Sequence, residues 1–529
     1  MKTSTVSTLL AFAAWWVGCS HLLASNTSPQ APVEQSPVAA TSGNDRLRIF
    51  ISDTHFGPGK VNGQWHPYED FRWATEFGLF LAEMKRQGKG NTDLIFNGDT
   101  LELWQSLEND CVVKGKPNLG CTESGALHRM QRVLDNHRAE LDSIGDFARD
   151  RNNQVIVVPG NHDAVLLFPA VAKALLDAIK APGHATVASA GYWLSPDGLV
   201  YSEHGHQIAK EVNTFDSWPK PFFTDGGKQY IQRPWGQQFV QQYYNDFEGK
   251  YPIIDNVLGE SNGLKFGMKA EGRSATFLDV GKFFSFYLAD LSFKQKVTPV
   301  MGAPGQPPSW DYAAIRGQGD RFLVESIPKD DDFRVLAQQL LDQGKFGQSL
   351  KNLSNDDITD ICNFRQNKIA DDRELGRQPS LQPCPSVMGA LQSLFNSRDK
   401  IFKGHFDKTI QLLVQQHNIQ RRFQVFVWSH THEADKGFKP REHEGDGWNP
   451  MVVNTGAWQR IITAAQLTEM QADRKLNDKQ ILQLGPEDLP ACYPFVLVRP
   501  YQTQPVSSLQ FWRKTATGWA QGDDCGQPK

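Results

Sequence analysis

The sequence lacks an apolar run of bilayer length. Its longest early stretch, Leu9 to Val17 (LLAFAAWWV), is too short to span a membrane as a stable helix, and nothing later in the chain replaces it. It also lacks an excess of either charge. Lys and Arg number 55 against 59 Asp and Glu, for a net charge of −4, and no charge run or basic stripe stands out. No nucleic-acid partner gripped through its phosphates is expected. None of the seven cysteines shows the close CxxC spacing of a zinc ribbon. The 44 glycines and 30 prolines follow no repeat period and imply many loops instead. What is present suffices for a core: 40% of residues are hydrophobic and 22% charged, which rules out global disorder. At ~150 residues per domain the chain amounts to roughly three to four domain equivalents.

The first residues have the layout of an export signal, with Lys2 ahead of the short apolar run. Residues 1–24 are read as a signal peptide or lipoprotein signal. Residues 25–45, rich in Pro, Ser, Thr, Gln and Ala, are read as a flexible tether. Val17-Gly18-Cys19 looks like the end of a bacterial lipobox, with Trp16 where Leu is usual; cleavage near Ala24, with Leu22 at the −3 position, is the other reading. The expected location is the periplasm or the outer membrane, anchored by lipid at Cys19, or outside the cell. Removing Cys19 leaves six cysteines. In an oxidising compartment, proximity pairs Cys111 with Cys121, Cys362 with Cys384 and Cys492 with Cys525.

Apolar runs that read as buried strands end, one after another, in metal-ligand residues. Leu47 to Ser52 ends in Asp53-Thr54-His55, and Asp93 to Asn97 in Gly98-Asp99. Gln154 to Pro159 ends in Gly160-Asn161-His162-Asp163, and Leu199 to Ser202 in Glu203-His204-Gly205-His206. Phe423 to Trp428 ends in Ser429-His430-Thr431-His432, and Met451 to Val453 in Asn454-Thr455-Gly456. Between them lie helical stripes, one from Phe71 to Met84 and one from Leu127 to Phe147. Alternating strand and helix signals predict an α/β architecture, whose ligands gather at the carboxyl ends of strands. Any single cluster is ordinary turn chemistry. Five of these six carry Asp or His, in one order and each following a buried strand, and point to a shared site.

The residue types suit two divalent ions about 3.5–4 Å apart, which need a bridging carboxylate, neutral imidazoles and hard oxygen donors. Asp99 can bridge, Asp53, His55 and His432 complete one position, and Asn161, His204 and His430 complete the other. Mn, Fe, Zn and Co suit such mixed N/O ligands alike.

The ordered set Asp53-x-His55, Gly98-Asp99-x-x-Glu102, Gly160-Asn161-His162-Asp163, His204-Gly205-His206 and His430-x-His432 resembles the calcineurin-like metallophosphoesterases, with Ser429 where that family usually has Gly. The resemblance covers residues near 47–207 and 423–458. It implies a two-sheet β-sandwich flanked by helices with a dinuclear centre at one edge, the ligand set above, and His204 rather than His206 as the middle ligand. It also implies hydrolysis of a phosphomonoester or phosphodiester by metal-activated hydroxide attack. His162 is then the catalytic residue, protonating the leaving oxygen or steadying transition-state charge. Asp163 and Glu102 are expected to orient an imidazole or a loop. The class alternative is a non-catalytic, metal-containing envelope protein that binds a phosphorylated ligand or partner.

The core is expected in two parts, 46–215 and 421–529, separated by a mostly helical cap insertion over 216–420. Helical patterns there lie near 331–343 and 385–415, and aromatic loops at Trp218 to Phe223, Gln241 to Phe247 and Phe283 to Tyr287. Most of these aromatics are expected to form the cap's own core. A few lining a pocket would suit an amphiphilic phosphoester.

Overall fold

Alternation within the apolar runs decides which way each strand faces, and it builds two layers around the first sheet. The computed structural model describes residues 44–526, apart from 106–110, 209–212, 259–261, 264–265, 268–269, 271–309, 330–332, 345–348, 354, 375–376, 386–413, 415–422 and 440–447. The signal with Cys19 and the tether up to residue 43 lie outside the described residues, as do most of the 385–415 pattern and Phe283 to Tyr287.

The strands in chain order are β1 (Leu47–Ile51), β2 (Lys60–Val61), β3 (Gln64–Trp65), β4 (Thr92–Asn97), β5 (Leu119–Thr122), β6 (Gln154–Val158), β7 (Ala185–Val187), β8 (Trp193–Leu194) and β9 (Val200–Ser202). There follow β10 (Phe222–Asp225), β11 (Lys228–Gln232), β12 (Val425–Trp428), β13 (Asp435–Phe438), β14 (Met451–Asn454), β15 (Cys492–Val498), β16 (Ser507–Thr515) and β17 (Gly518–Gly522). A seven-stranded mixed sheet runs β17-β16-β15-β1-β4-β6-β7, with β1, β4, β6 and β7 parallel. A five-stranded mixed sheet runs β13-β14-β12-β9-β8, parallel at its centre.

In β1, Ile49 and Ile51 join one apolar cluster and Phe50, between them, joins another. β4 repeats this with Leu94 and Phe96 against Ile95, as a period of two requires. The Phe50 and Ile95 layer also takes Val200, Val425, Val427 and Val453 from the second sheet, so the two sheets share one apolar interior. Helices α1 (Ala74–Gly88), α2 (Glu123–Asn136), α3 (Arg138–Ala148) and α4 (Pro169–Ile179) contribute to the cluster on the other face of the first sheet. α1 buries Phe77, Phe80, Leu81 and Met84, worth about 1.5–3 kcal/mol each. The single stripe expected from Leu127 to Phe147 is two helices, broken at His137.

The last three strands of the chain extend the first sheet. β15 pairs antiparallel with β1, and β16 and β17 follow it, which covers an edge that β1 would otherwise expose. The three expected disulfides are present.

Within 216–420, the hairpin β10–β11 pairs with β5 of the first core segment. Helices Tyr312–Gly317, Arg321–Glu325, Phe333–Asp342 and Asn355–Glu374 follow, the third matching the pattern near 331–343. Their apolar cluster includes Tyr244 and Tyr251, with Phe247 packed against it. Leu467, Ile481 and Leu482 join the same cluster, from helices Ala464–Asp473 and Asp478–Leu482 that open on the capping residues Thr463 and Asn477. No helix among the described residues is long and apolar enough to cross a membrane.

Candidate metal centre

Each predicted ligand sits just past the carboxyl end of a strand: Asp53 and His55 after β1, Asp99 after β4, Asn161 after β6, His204 after β9, and His430 and His432 after β12. The backbone is unusual there. Of the ten non-glycine residues with positive φ among the described residues, five are Asp53, His55, Asp99, His430 and His432. Non-glycine residues adopt that conformation at a cost, so its concentration on one set of side chains marks positions constrained by more than folding. Two glycines make room. A Cβ on Gly98 would lie 2.2 Å from Nδ1 of His204, and one on Gly160 would lie 2.2 Å from Oδ1 of Asp99.

Asp53, His55 and His432 form one group whose ligand atoms could hold a metal ion, and Asp99, His204 and His430 form a second. Nε2 of His432 lies 3.3 Å from Oδ1 of Asp53. Oδ2 of Asp99 stands 3.0 Å from Nε2 of His204 and 3.9 Å from Nε2 of His55, and so between the groups. Oδ1 of Asn161 is 3.0 Å from Nε2 of His204. Nε2 of His55 is buried without a hydrogen-bond partner among the described residues, which is how a ligand atom aimed at an ion presents itself.

The carboxylates and imidazoles hold one another in their charged forms. Burial raises the Asp99 carboxyl, but His204, His162 and His55 around it outweigh burial and hold it well below the usual range. Burial lowers His204, and the Asp99 and Asp53 carboxylates outweigh it, lifting the imidazole to about 9.

Glu102 ties the centre together. Its Oε2 lies 3.0 Å from Nδ1 of His55 and 2.5 Å from Nδ1 of His162. Its Oε1 accepts from the backbone N–H groups of Trp104 and Gln105. One carboxylate thus fixes a candidate ligand and the candidate proton donor, leaving Nε2 of His55 directed at Asp53 and Asp99. His162 also donates its backbone N–H to Oδ1 of Asp99 at 2.8 Å and stacks on Trp104 with ring centroids 4.0 Å apart. Asp163 anchors the loop, accepting from the N–H groups of Gly160 and Thr100; burial and the nearby Asp99 charge raise it to about 7.

Ser429 joins a buried polar network in place of the expected glycine. Its hydroxyl meets Thr455 Oγ1 and Asn97 Nδ2, each at 2.8 Å, and Thr455 meets Ser52, which donates to Asp53. His206 lies outside both candidate groups. It packs edge-on against Trp218 at 4.3 Å, and burial and the neighbouring His204 keep it well below its ordinary value.

The sequence reading missed Trp104 and the Ser52–Thr455 link. Polar residues closing apolar strands were the available signal for the second; for Trp104 only its place after Glu102 hinted at it. Compared with protein-family models, with curated proteins and with solved structures, the chain matches none.

Proposed function

We propose that the protein is an exported, metal-dependent phosphoesterase with the sandwich fold of the calcineurin-like metallophosphoesterases. The observation that carries this reading is the position of Oδ2 of Asp99, 3.0 Å from His204 and 3.9 Å from His55, between two groups of candidate ligands. The set formed by Asp53, His55, His432, Asp99, Asn161, His204 and His430 suits two divalent ions of the Mn, Fe, Zn or Co type. Bound there, such a pair supplies Lewis-acid activation of water and neutralises charge on a phosphoryl group.

The chain's own residues do the rest. Asp99 holds the two groups in one frame. His162, fixed through Nδ1 by Glu102 and by the face of Trp104, is the group that protonates the leaving oxygen or steadies the charge that develops on the phosphoryl oxygens. Its side chain is 15% exposed and that of His432 is 25% exposed, whereas those of His204 and Asp53 are fully buried. Substrate therefore enters from the His162 and His432 side. Three disulfides among the described residues support an oxidising compartment, and lipid attachment at Cys19 is part of the same proposal.

The test is turnover of p-nitrophenyl phosphate and its bis ester by protein loaded with Mn²⁺, Co²⁺, Zn²⁺ or Fe²⁺, beside His162→Ala. Metal-dependent turnover that falls about 10²–10⁴-fold in the variant supports the reading. Bound metal with no turnover under any loading overturns it in favour of a binding protein for a phosphorylated ligand. Phospholipids and nucleotides as competing substrates decide whether the substrate is amphiphilic.

A further inference from the structure

A second acidic cluster stands beside the candidate centre without any imidazole of its own. Asp70, in the loop before α1, meets Glu248 and Asp255 of the insertion, with one carboxylate oxygen of each within 4.8 Å of the others. Asp70 is 8% exposed and Glu248 1% exposed, and Asp255 is half-buried. Among the described residues no Lys or Arg forms an ion pair with any of the three, and Arg72 acts on Asp70 less than the acids Asp255, Glu102 and Glu69 do.

Two buried acceptors at the cluster also lack donors. Glu248 takes the Gln105 amide N–H on Oε2, but its Oε1 has no hydrogen-bond partner. Gln105, 5% exposed and held against Glu248 by that bond, has an Oε1 equally without a donor. Asp70 itself has no hydrogen bond among the described residues. Asp255 has a hydrogen bond from Tyr244 and Glu248 one from Gln105, but the two buried oxygens left over are costly unless a cation or a set of protons completes the pocket. Burial and mutual repulsion push Asp70 and Glu248 well above the carboxylate range, so the cluster gains greatly from a positive charge at its centre.

We propose that Asp70, Glu248 and Asp255, together with the Gln105 amide oxygen, bind a hard divalent cation of the Ca²⁺ or Mg²⁺ type. An all-oxygen donor set selects that class, whereas the mixed imidazole and carboxylate set next to it selects transition metals. The cation ties the insertion to the core segment ahead of α1, beside the entrance to the candidate centre. This site is independent of whether the centre hydrolyses anything.

Calcium alone is the probe, titrated calorimetrically into the full-length protein as isolated with its transition metals. Tb³⁺ luminescence sensitised by tryptophan is the second readout. One saturable Ca²⁺ site per chain is expected, with a rise in Tm on binding. Glu248→Gln and Asp255→Asn should each weaken Ca²⁺ at least about tenfold and abolish the Tm rise, with transition-metal content unchanged by elemental analysis. Asp99→Asn should keep the Ca²⁺ site, which separates this result from the fate of the phosphoesterase reading. Folded wild type that takes up no more Ca²⁺ or Tb³⁺ than these variants would overturn the proposal and leave the carboxyls as protonated acids. Should Glu248→Gln fail to fold, the half-buried Asp255 supplies the decisive variant.

Discussion

Asp99 and Glu248 are each 1% exposed, yet their carboxyl groups go opposite ways. Burial raises both. Around Asp99 stand His204, His162 and His55, whose attraction reverses the rise. Around Glu248 stand Asp255, Asp70 and Glu102, whose repulsion adds to it. Adjacent residues differ in their neighbours too: Glu69 meets His137 at 3.2 Å, while around Asp70 the acids Asp255, Glu102 and Glu69 each outweigh Arg72. Burial sets how much a neighbour matters, and the neighbour's charge sets the sign. The two regions accordingly differ in the cations they suit, although both are built from buried carboxylates.

Three changes probe that difference. The largest effect is expected from Asp99→Asn, which leaves the imidazoles without their shared carboxylate. Its kcat/KM for p-nitrophenyl phosphate should fall about 10³-fold, together with transition-metal content. Retention of both would mean that the imidazole-rich region is only a packed polar core.

Glu102→Gln comes next. Its carboxylate touches two imidazoles and serves as a positioning residue, so kcat should fall about 10–100-fold with KM unchanged, and metal affinity should weaken in parallel. A rise in KM with kcat intact would instead place Glu102 on the substrate.

The smallest effect concerns His137, 1% exposed and far from any predicted ligand role. Burial lowers it, but Glu69 and Glu140 outweigh burial and raise it to about 10. A group whose folded-state pKa lies above its unfolded value of about 6.5 stabilises fully below pH 6.5 and loses that contribution as pH rises through about 10. Tm should therefore decline across that window, and His137→Gln should be less stable at pH 6 with a flatter decline. An equal decline in the variant would assign the slope to other groups.

Much of the candidate centre was legible because its ligands come in short blocks at strand ends, where chain direction alone brings side chains to one edge of a sheet. Asp53-x-His55 and His430-x-His432 could be read that way; the preference for His204 over His206 was what the family resemblance implied, and in the fold His204 meets Asp99 and Asn161 while His206 packs on Trp218. The disulfides were legible because their partners are near in sequence. Asp70, Glu248 and Asp255 were not. Each is an ordinary acid in its own segment, and no local pattern records that the insertion returns to the loop before α1. The pairing of β10–β11 with β5 was hidden for the same reason.

The linear order of residues determined the alternating strand and helix plan, the candidate ligand types at the strand ends and the near-neighbour cysteine pairs, because each depends on spacing within a few residues or on repetition of one local event. Tertiary structure decided which carboxylates face imidazoles and which face one another. That outcome depends on through-space distances between segments far apart in the chain, and it is there that a buried acid becomes either a held anion or a raised one.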